Sequence, residues 1–159
     1  VNEIDPVEKV LAIAKKKGLD VYNKYQNDET VVLSADTIVV INNQVLGKPK
    51  NVDDARLMIK KLQNNVHQVY TAVYIKSQNN EDWFVEKTDV SVGEMTEEEI
   101  EEYINTSEPY DKAGGYGIQG IFSRCIFRKI LKDTGLCTDI STKKGHVLRV
   151  LCYPTTKSR

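Results

Sequence analysis

ETVVLSADTIVVINNQVLGKPK, residues 29–50, is the stretch on which the reading of this chain turns. Val31, Val32 and Leu33 lead into Ser34-Ala35-Asp36-Thr37, and Ile38, Val39, Val40 and Ile41 follow, so one acid interrupts an aliphatic run. That composition is typical of a strand buried on both faces. A carboxylate at its centre must be paired, hydrogen-bonded or opened onto a cleft, because uncompensated burial is costly. Two readings of Asp36 follow: a cap of a turn between two short strands, or a group held there for chemistry.

The residues that come next bear on the choice. Asn42-Asn43 suits a tight hairpin turn, since Asn tolerates positive φ, and Gln44-Val45-Leu46 reads as a short return strand. It ends at Gly47-Lys48-Pro49, so the hairpin can carry Lys48 back beside the strand that holds Asp36. A cation and an anion facing one cleft suit polyphosphate chemistry, the carboxylate for a divalent metal or an attacking water and the ammonium for phosphate oxygens. Taken alone, Lys48 is equally a solvated turn lysine.

Composition narrows the class. The 159 residues suit one domain, residues 1–159, with a real core. With 22 basic and 23 acidic residues the net charge is −1, and there is no polybasic arm and no interleaved basic and aromatic stripe. No nucleic-acid or membrane partner is expected. No apolar run approaches about 20 residues and no signal peptide opens the chain, so the expectation is a soluble, cytoplasmic protein. Cys125, Cys137 and Cys152, odd in number and widely spaced, fit neither a disulfide framework nor a zinc site and read as free thiols. The first residue is Val rather than Met, as in a fragment.

Along the chain, Asp5-Pro6-Val7-Glu8 is a helix start, with Asp at the N-cap, Pro at the first helical position and Glu three residues after the cap. The helix runs to about Tyr22, with Val10, Ala14, Lys17 and Val21 on one line and Lys15 and Lys16 toward solvent. A lysine in an apolar line either snorkels to an edge or puts its ammonium into a site. Residues 51–64 read as a second helix capped by Asn51, burying Ala55, Met58, Ile59 and Leu62. Strands are expected over 67–76 and 82–94, joined by Gln78-Asn79-Asn80. His67 is read as structural, and Trp83 and Phe84 as packing or an interface. Thr96 opens a third helix with a capping box to Glu99, ending near Thr106, its glutamates forming a solvated face. Residues 111–120, DKAGGYGIQG, place four glycines in seven residues, as a loop pressed against a base or phosphate needs. A flexible linker is the alternative, weakened by the interleaved Tyr116, Ile118 and Gln119. Gln119 offers a donor and an acceptor, enough to read a pyrimidine edge.

In order and spacing, SADTIVV, LGKP and EPYDKAGGYGIQG resemble the Maf family of nucleoside triphosphate pyrophosphatases, over roughly residues 5–120. The resemblance implies a mixed, twisted sheet flanked by helices, two lobes with a central cleft, and hydrolysis of a nucleoside triphosphate to the monophosphate and pyrophosphate. It implies that Asp36 activates water, directly or through Mg²⁺ or Mn²⁺. It implies that Lys17 and Lys48 stabilise phosphate charge, and that Glu8, otherwise a plain capping glutamate, is a metal ligand. Thr37 and Gln119 match the positions that set preference in the dTTP and UTP branch. A homodimer is left open.

The resemblance stops at both ends. A family loop of the form LASxSPRR, whose arginines hold the triphosphate, has no counterpart here, and residues 121–159 diverge from the family pattern. Paired arginines supply bidentate contacts that lysines do not. A marginally stable or aggregation-prone domain is expected if the strand of that segment is missing. In the tail, residues 147–153 suit a strand and 155–159 a disordered end. The alternatives are a catalytically compromised nucleotide-binding remnant, a non-catalytic domain of a longer fusion protein, and an unrelated phosphatase.

Overall fold

The computed structural model describes residues 5–25, 27 and 29–126. The expected strand at 147–153, the end at 155–159, and Cys137 and Cys152 lie outside them. Asp5 starts helix α1, Pro6–Tyr22, by accepting the Val7 N–H at 2.9 Å, and Pro6 stands where no intrahelical donor is needed. Glu8 is exposed and returns no bond to the cap, so the cap rests on Asp5. The buried line is Val10, Ala14, Gly18 and Tyr22, with Val21 exposed. The expected line through Lys17 and Val21 is thus displaced. The reason is Gly18, where a Cβ would meet Ser34 Oγ at 2.5 Å and Tyr74 Cδ1 at 2.7 Å. Without a side chain, that face of α1 presses onto the sheet, and Lys15 and Lys17 are left on its two shoulders.

Strand β1, Val32–Ile41, runs without a break through Asp36, which removes the reading of Asp36 as a turn cap. Its last four residues are buried on both faces, but Val31 and Leu33 are exposed, contrary to the two-faced burial expected there. Asn42 and Asn43, with φ of 49° and 60°, make the turn into β2, Gln44–Leu46. Two consecutive positive φ values match the right-handed twist of the flanking strands.

Helix α2, Val52–Leu62, is capped by Asn51 accepting the Asp54 N–H at 2.8 Å, and it buries Ala55, Met58, Ile59 and Leu62 as their spacing predicts. Strands β3, Asn65–Lys76, and β4, Glu81–Val92, form a long hairpin, each strand starting a residue or two before the expected position. Helix α3, Glu97–Ile104, opens on the Thr96–Glu99 capping box and ends two residues early. Arg56 ties α2 to α3 by gripping both carboxylate oxygens of Glu101, at 2.5 and 2.9 Å. Short 3-10 turns at Glu108–Asp111 and Ala113–Gly115 lead into the glycine-rich loop.

Among the described residues the strands form one sheet in the order β2-β1-β3-β4, every pairing antiparallel. With helices against it, this is the expected α/β class; a parallel pairing that would make the sheet mixed is not among the described strands. Registers Asp36↔Ala72 and Ala72↔Val85 set even positions of β1 and β3 on one face and odd positions on the other. On the even face, α1 covers Ile38, Val40, Ala72 and Tyr74. On the odd face, α2, α3 and the loop enclose Val39, Ile41, Ile59, Leu62, Ile100, Ile104 and Phe122. A strand of 12 residues is about 40 Å long, more than either layer covers. Leu33, Ile75, Trp83 and Phe84 are therefore exposed where the hairpin outruns its helices, so Trp83 and Phe84 are surface residues.

Candidate functional site

Asp36 lies in the even face at the edge of the α1 layer, its side chain 16% exposed. Lys17 reaches from the shoulder of α1 and donates from Nζ to Asp36 Oδ1. Three contacts set that meeting. Ser34 Oγ donates to the Ala14 carbonyl at 2.8 Å, Gly18 admits Ser34 and Tyr74 to the helix, and Lys15 Nζ bonds Glu81 at 3.0 Å across the opposite shoulder. Lys15, expected in solvent, is thus part of a network with Tyr74, whose hydroxyl donates to Glu81 at 2.7 Å. Burial first, then that bond, pushes Tyr74 up to about 12, so it stays protonated and donates. The Tyr74 hydroxyl, followed by Lys15, holds Glu81 below its ordinary range.

Thr37, one residue on, faces the other side, as a period of two requires, and its Oγ1 is 2.9 Å from Thr71 Oγ1. β2 pairs with β1 from Val39 onward, so among the described strands nothing pairs with this side of β1 at Asp36 or Thr37. An elongated ligand along that edge can meet Asp36 from one face and Thr37 from the other. The pairing of β2 with β1 ends at Val39↔Leu46, and Lys48 follows two residues beyond it in the connection to α2. Lys48 is exposed and makes no ion pair with Asp36; its charge acts on Asp111, which Lys112 and then Lys48 hold below the ordinary carboxylate range.

The glycine-rich loop is built rather than slack. Gly114, with φ of 77°, donates to the Gly47 carbonyl at 3.0 Å, and its Cβ would press on Val39 at 3.0 Å. This joins the loop to the residue before Lys48. Gln119 is exposed in a turn closed by Gly120 N–H to the Gly117 carbonyl at 3.2 Å. His67, expected to be structural, is fully buried, with Nε2 at 2.5 Å from the Tyr116 hydroxyl and Nδ1 without a partner among the described residues. Burial lowers His67 to about 4, so it is neutral at pH 7, and raises Tyr116 above the ordinary range of a phenol. No signal in the sequence joins residues 49 apart, and only the fold pairs His67 with Tyr116.

The structure thus brings Lys17 and Asp36 into contact, sets Thr37 next to Asp36 in β1 with its side chain on the opposite face, and ties the Gln119 loop to the Lys48 turn. Glu8 is apart, nine residues or about 13 Å of helix rise before Lys17. No three His, Cys, Asp or Glu side chains converge as a metal cage among the described residues. Asp36 alone still fits Mg²⁺ or Mn²⁺, because such an ion is commonly held by one or two carboxylates while substrate phosphates and water complete its shell. A pocket of about 310 Å³ between α3 and residues 121–125, lined by Met95, Tyr103, Phe122 and Cys125, contains none of these residues.

A dTTP/UTP pyrophosphatase of Bacillus pumilus is 44% identical over 119 residues, 75% of this chain and 62% of the relative. The dTTP/UTP pyrophosphatases of Acholeplasma laidlawii and Thermosipho melanesiensis are 42% and 46% identical, over 78% and 75% of this chain. The chain spans 62% to 64% of the length of these three relatives. The profile of the family described as Maf-like protein matches residues 2–135, from α1 through the Asp36 strand and past the glycine-rich loop, and the chain belongs to that family.

Proposed function

We propose that this chain is a nucleoside triphosphate pyrophosphatase acting on dTTP, UTP or a related pyrimidine nucleotide in the cytoplasm. The observation that carries the reading is the Lys17–Asp36 pair at the free edge of β1. It is supported by the names of the relatives and, for the compartment, by the lack of a membrane-length apolar helix among the described residues. Without nucleotide, Lys17 neutralises Asp36. A triphosphate offers the ammonium several competing oxygens, and Lys17 moves toward them, leaving the carboxylate free to accept a proton from water. The water oxygen bonds to the α-phosphorus, the bond from that phosphorus to the oxygen bridging to the β-phosphate breaks, and pyrophosphate leaves with the bridging oxygen. Lys17 and Lys48 offset the charge that builds on the phosphates. Thr37 and Gln119 choose the base. Mg²⁺ or Mn²⁺ held by Asp36, with Glu8 the further ligand that the family resemblance implies, would supply charge neutralisation and polarise phosphate oxygens.

The test is pyrophosphate release from UTP, dTTP and ATP with Mg²⁺, comparing the native chain with Asp36→Asn. Lys17 is 56% exposed, so loss of the pair costs about 0–1 kcal/mol and the variant folds. Pyrimidine turnover that falls by about a hundredfold or more in the variant supports the reading. Tight nucleotide binding without turnover replaces it with the nucleotide-binding remnant, and release of orthophosphate replaces it with a different phosphatase chemistry.

A further inference from the structure

The turn that bears Gln119 is held on both sides. Three consecutive residues before it bond to three different parts of the chain: Gly114 N–H to the Gly47 carbonyl in the connection after β2, the Gly115 carbonyl to the Tyr103 hydroxyl of α3 at 3.0 Å, and the Tyr116 hydroxyl to His67 of β3. After it, the Ile121 N–H donates to Glu108 Oε2 at 2.8 Å, and the Glu108 carboxylate fills the space that a side chain at Gly120 would need. Only residues 117–120 lie between these anchors, with Ile118 and Gln119 at the exposed centre. So short a span, tied at both ends, keeps few conformations, and the position of the Gln119 amide is inherited from its anchors.

One anchor leads back to β3, whose Thr71 pairs with Thr37 of β1. His67 and Thr71 share the odd face of β3, and Thr71 bonds Thr37 at 2.9 Å. β3 is thus a common base plate, reaching Thr37 through Thr71 and Gln119 through His67 and Tyr116. The pair is shaped for holding: the Tyr116 ring meets the imidazole edge-on at 5.3 Å and packs on Phe122 at 4.9 Å. An imidazole with one buried nitrogen that has no partner among the described residues is a poor choice for packing alone, where an aliphatic side chain would leave no polar atom unsatisfied.

We propose that His67 is a positioning residue that, through Tyr116, sets the spacing between Gln119 and Thr37 and thereby the preference for pyrimidine nucleotides, without touching the nucleotide. The specificity half of this rests on the reading of Thr37 and Gln119 given above. The anchoring half does not.

The experiment uses the full 159-residue chain as native protein, Tyr116→Phe, His67→Gln, and Ile59→Val as a control that weakens the core beneath α2. Amide hydrogen exchange over residues 117–121 is expected to quicken about tenfold or more in Tyr116→Phe, with little change in Ile59→Val once global stability is matched. His67→Gln keeps a polar group near the Tyr116 hydroxyl and is expected to retain most of the protection. In steady-state assays, Tyr116→Phe is expected to lower the ratio of kcat/KM for UTP over ATP by about fivefold or more, through KM for UTP, with kcat within about twofold. Unchanged exchange in Tyr116→Phe, or equal loss in Ile59→Val, overturns the proposal, as does quicker exchange with an unmoved nucleotide ratio. If the native chain turns over no nucleotide, the pyrophosphatase reading falls, and the specificity half with it, while exchange still decides whether His67 anchors the loop.

Discussion

Mild acid should destabilise this protein through one buried imidazole. His67 is fully buried, and desolvation lowers its pKa from 6.5 to about 4. The folded chain therefore binds that proton more weakly than the unfolded chain. Between pH 6.5 and 4 the unfolded state holds more protons, so stability rises with pH across this window and is lost as pH falls through it. Linkage with these two values gives a loss of about 2 kcal/mol on going from pH 8 to pH 5, growing to about 3 kcal/mol below pH 4. The carboxylates of Glu81, Glu101 and Asp111 have the same sign but a lower window, since each is depressed below an ordinary value of 4.5 or 3.8. Urea unfolding at pH 8, 7, 6 and 5 and constant ionic strength, for native protein and His67→Gln, isolates the imidazole because it is the one titratable group that differs between the two proteins. The native curve should fall by about 2 kcal/mol relative to the variant. Parallel curves, or an imidazole NMR titration of His67 centred near its ordinary value, would refute the reasoning.

Further outcomes follow from the packing of α1, the hairpin and the loop. Gly18→Ala sets a methyl 2.5 Å from Ser34 Oγ and 2.7 Å from Tyr74 Cδ1. Overpacking of about 1–3 kcal/mol outweighs about 1 kcal/mol of helix propensity, so a thermal melt should show net loss; an unchanged or raised Tm would sink the close-packing argument. Asn43→Val should cost about 1–2 kcal/mol because φ there is 60°, whereas Asn43→Gly should be neutral or slightly stabilising, both read by urea titration. Gly120→Ala drives a methyl into the Glu108 carboxylate and should lower kcat/KM for UTP by about tenfold, with partial recovery when Glu108→Ala is added. Additive losses in that pair would mean the two residues do not share the space.

The α1 contacts account for how Lys17 comes to face Asp36. Gly18, the Ser34 hydroxyl and the Lys15–Glu81 bond seat the helix on the even face, and Lys17 then reaches Asp36 from its shoulder. The short β2 leaves the adjoining edge of β1 unpaired among the described strands. A longer β2 would cover the backbone beside Asp36 and Thr37.

Local physics was enough for several elements. Asn51 with its first-turn acids and four apolar positions specified α2, the Thr96–Glu99 capping box specified the start of α3, and Asn42-Asn43 specified the hairpin, because each signal lies within one or two turns of chain. The singular acid of β1 and the glycine-rich loop were visible as anomalies for the same reason. What the chain alone did not disclose depends on contacts between distant segments. Val31 and Leu33 have the composition of a buried strand but are exposed, since burial depends on where α1 and α2 stop. Lys17 and Lys15 are near neighbours on one helix, and only the seat of Gly18 against Ser34 and Tyr74 sends one to Asp36 and the other to Glu81. His67 acquires its partner 49 residues away, when α3 and the loop close over the odd face of the sheet. Periodicity sets which side chains share a face; which faces meet is a property of the packed chain, because only there does burial, rather than spacing, choose the partners.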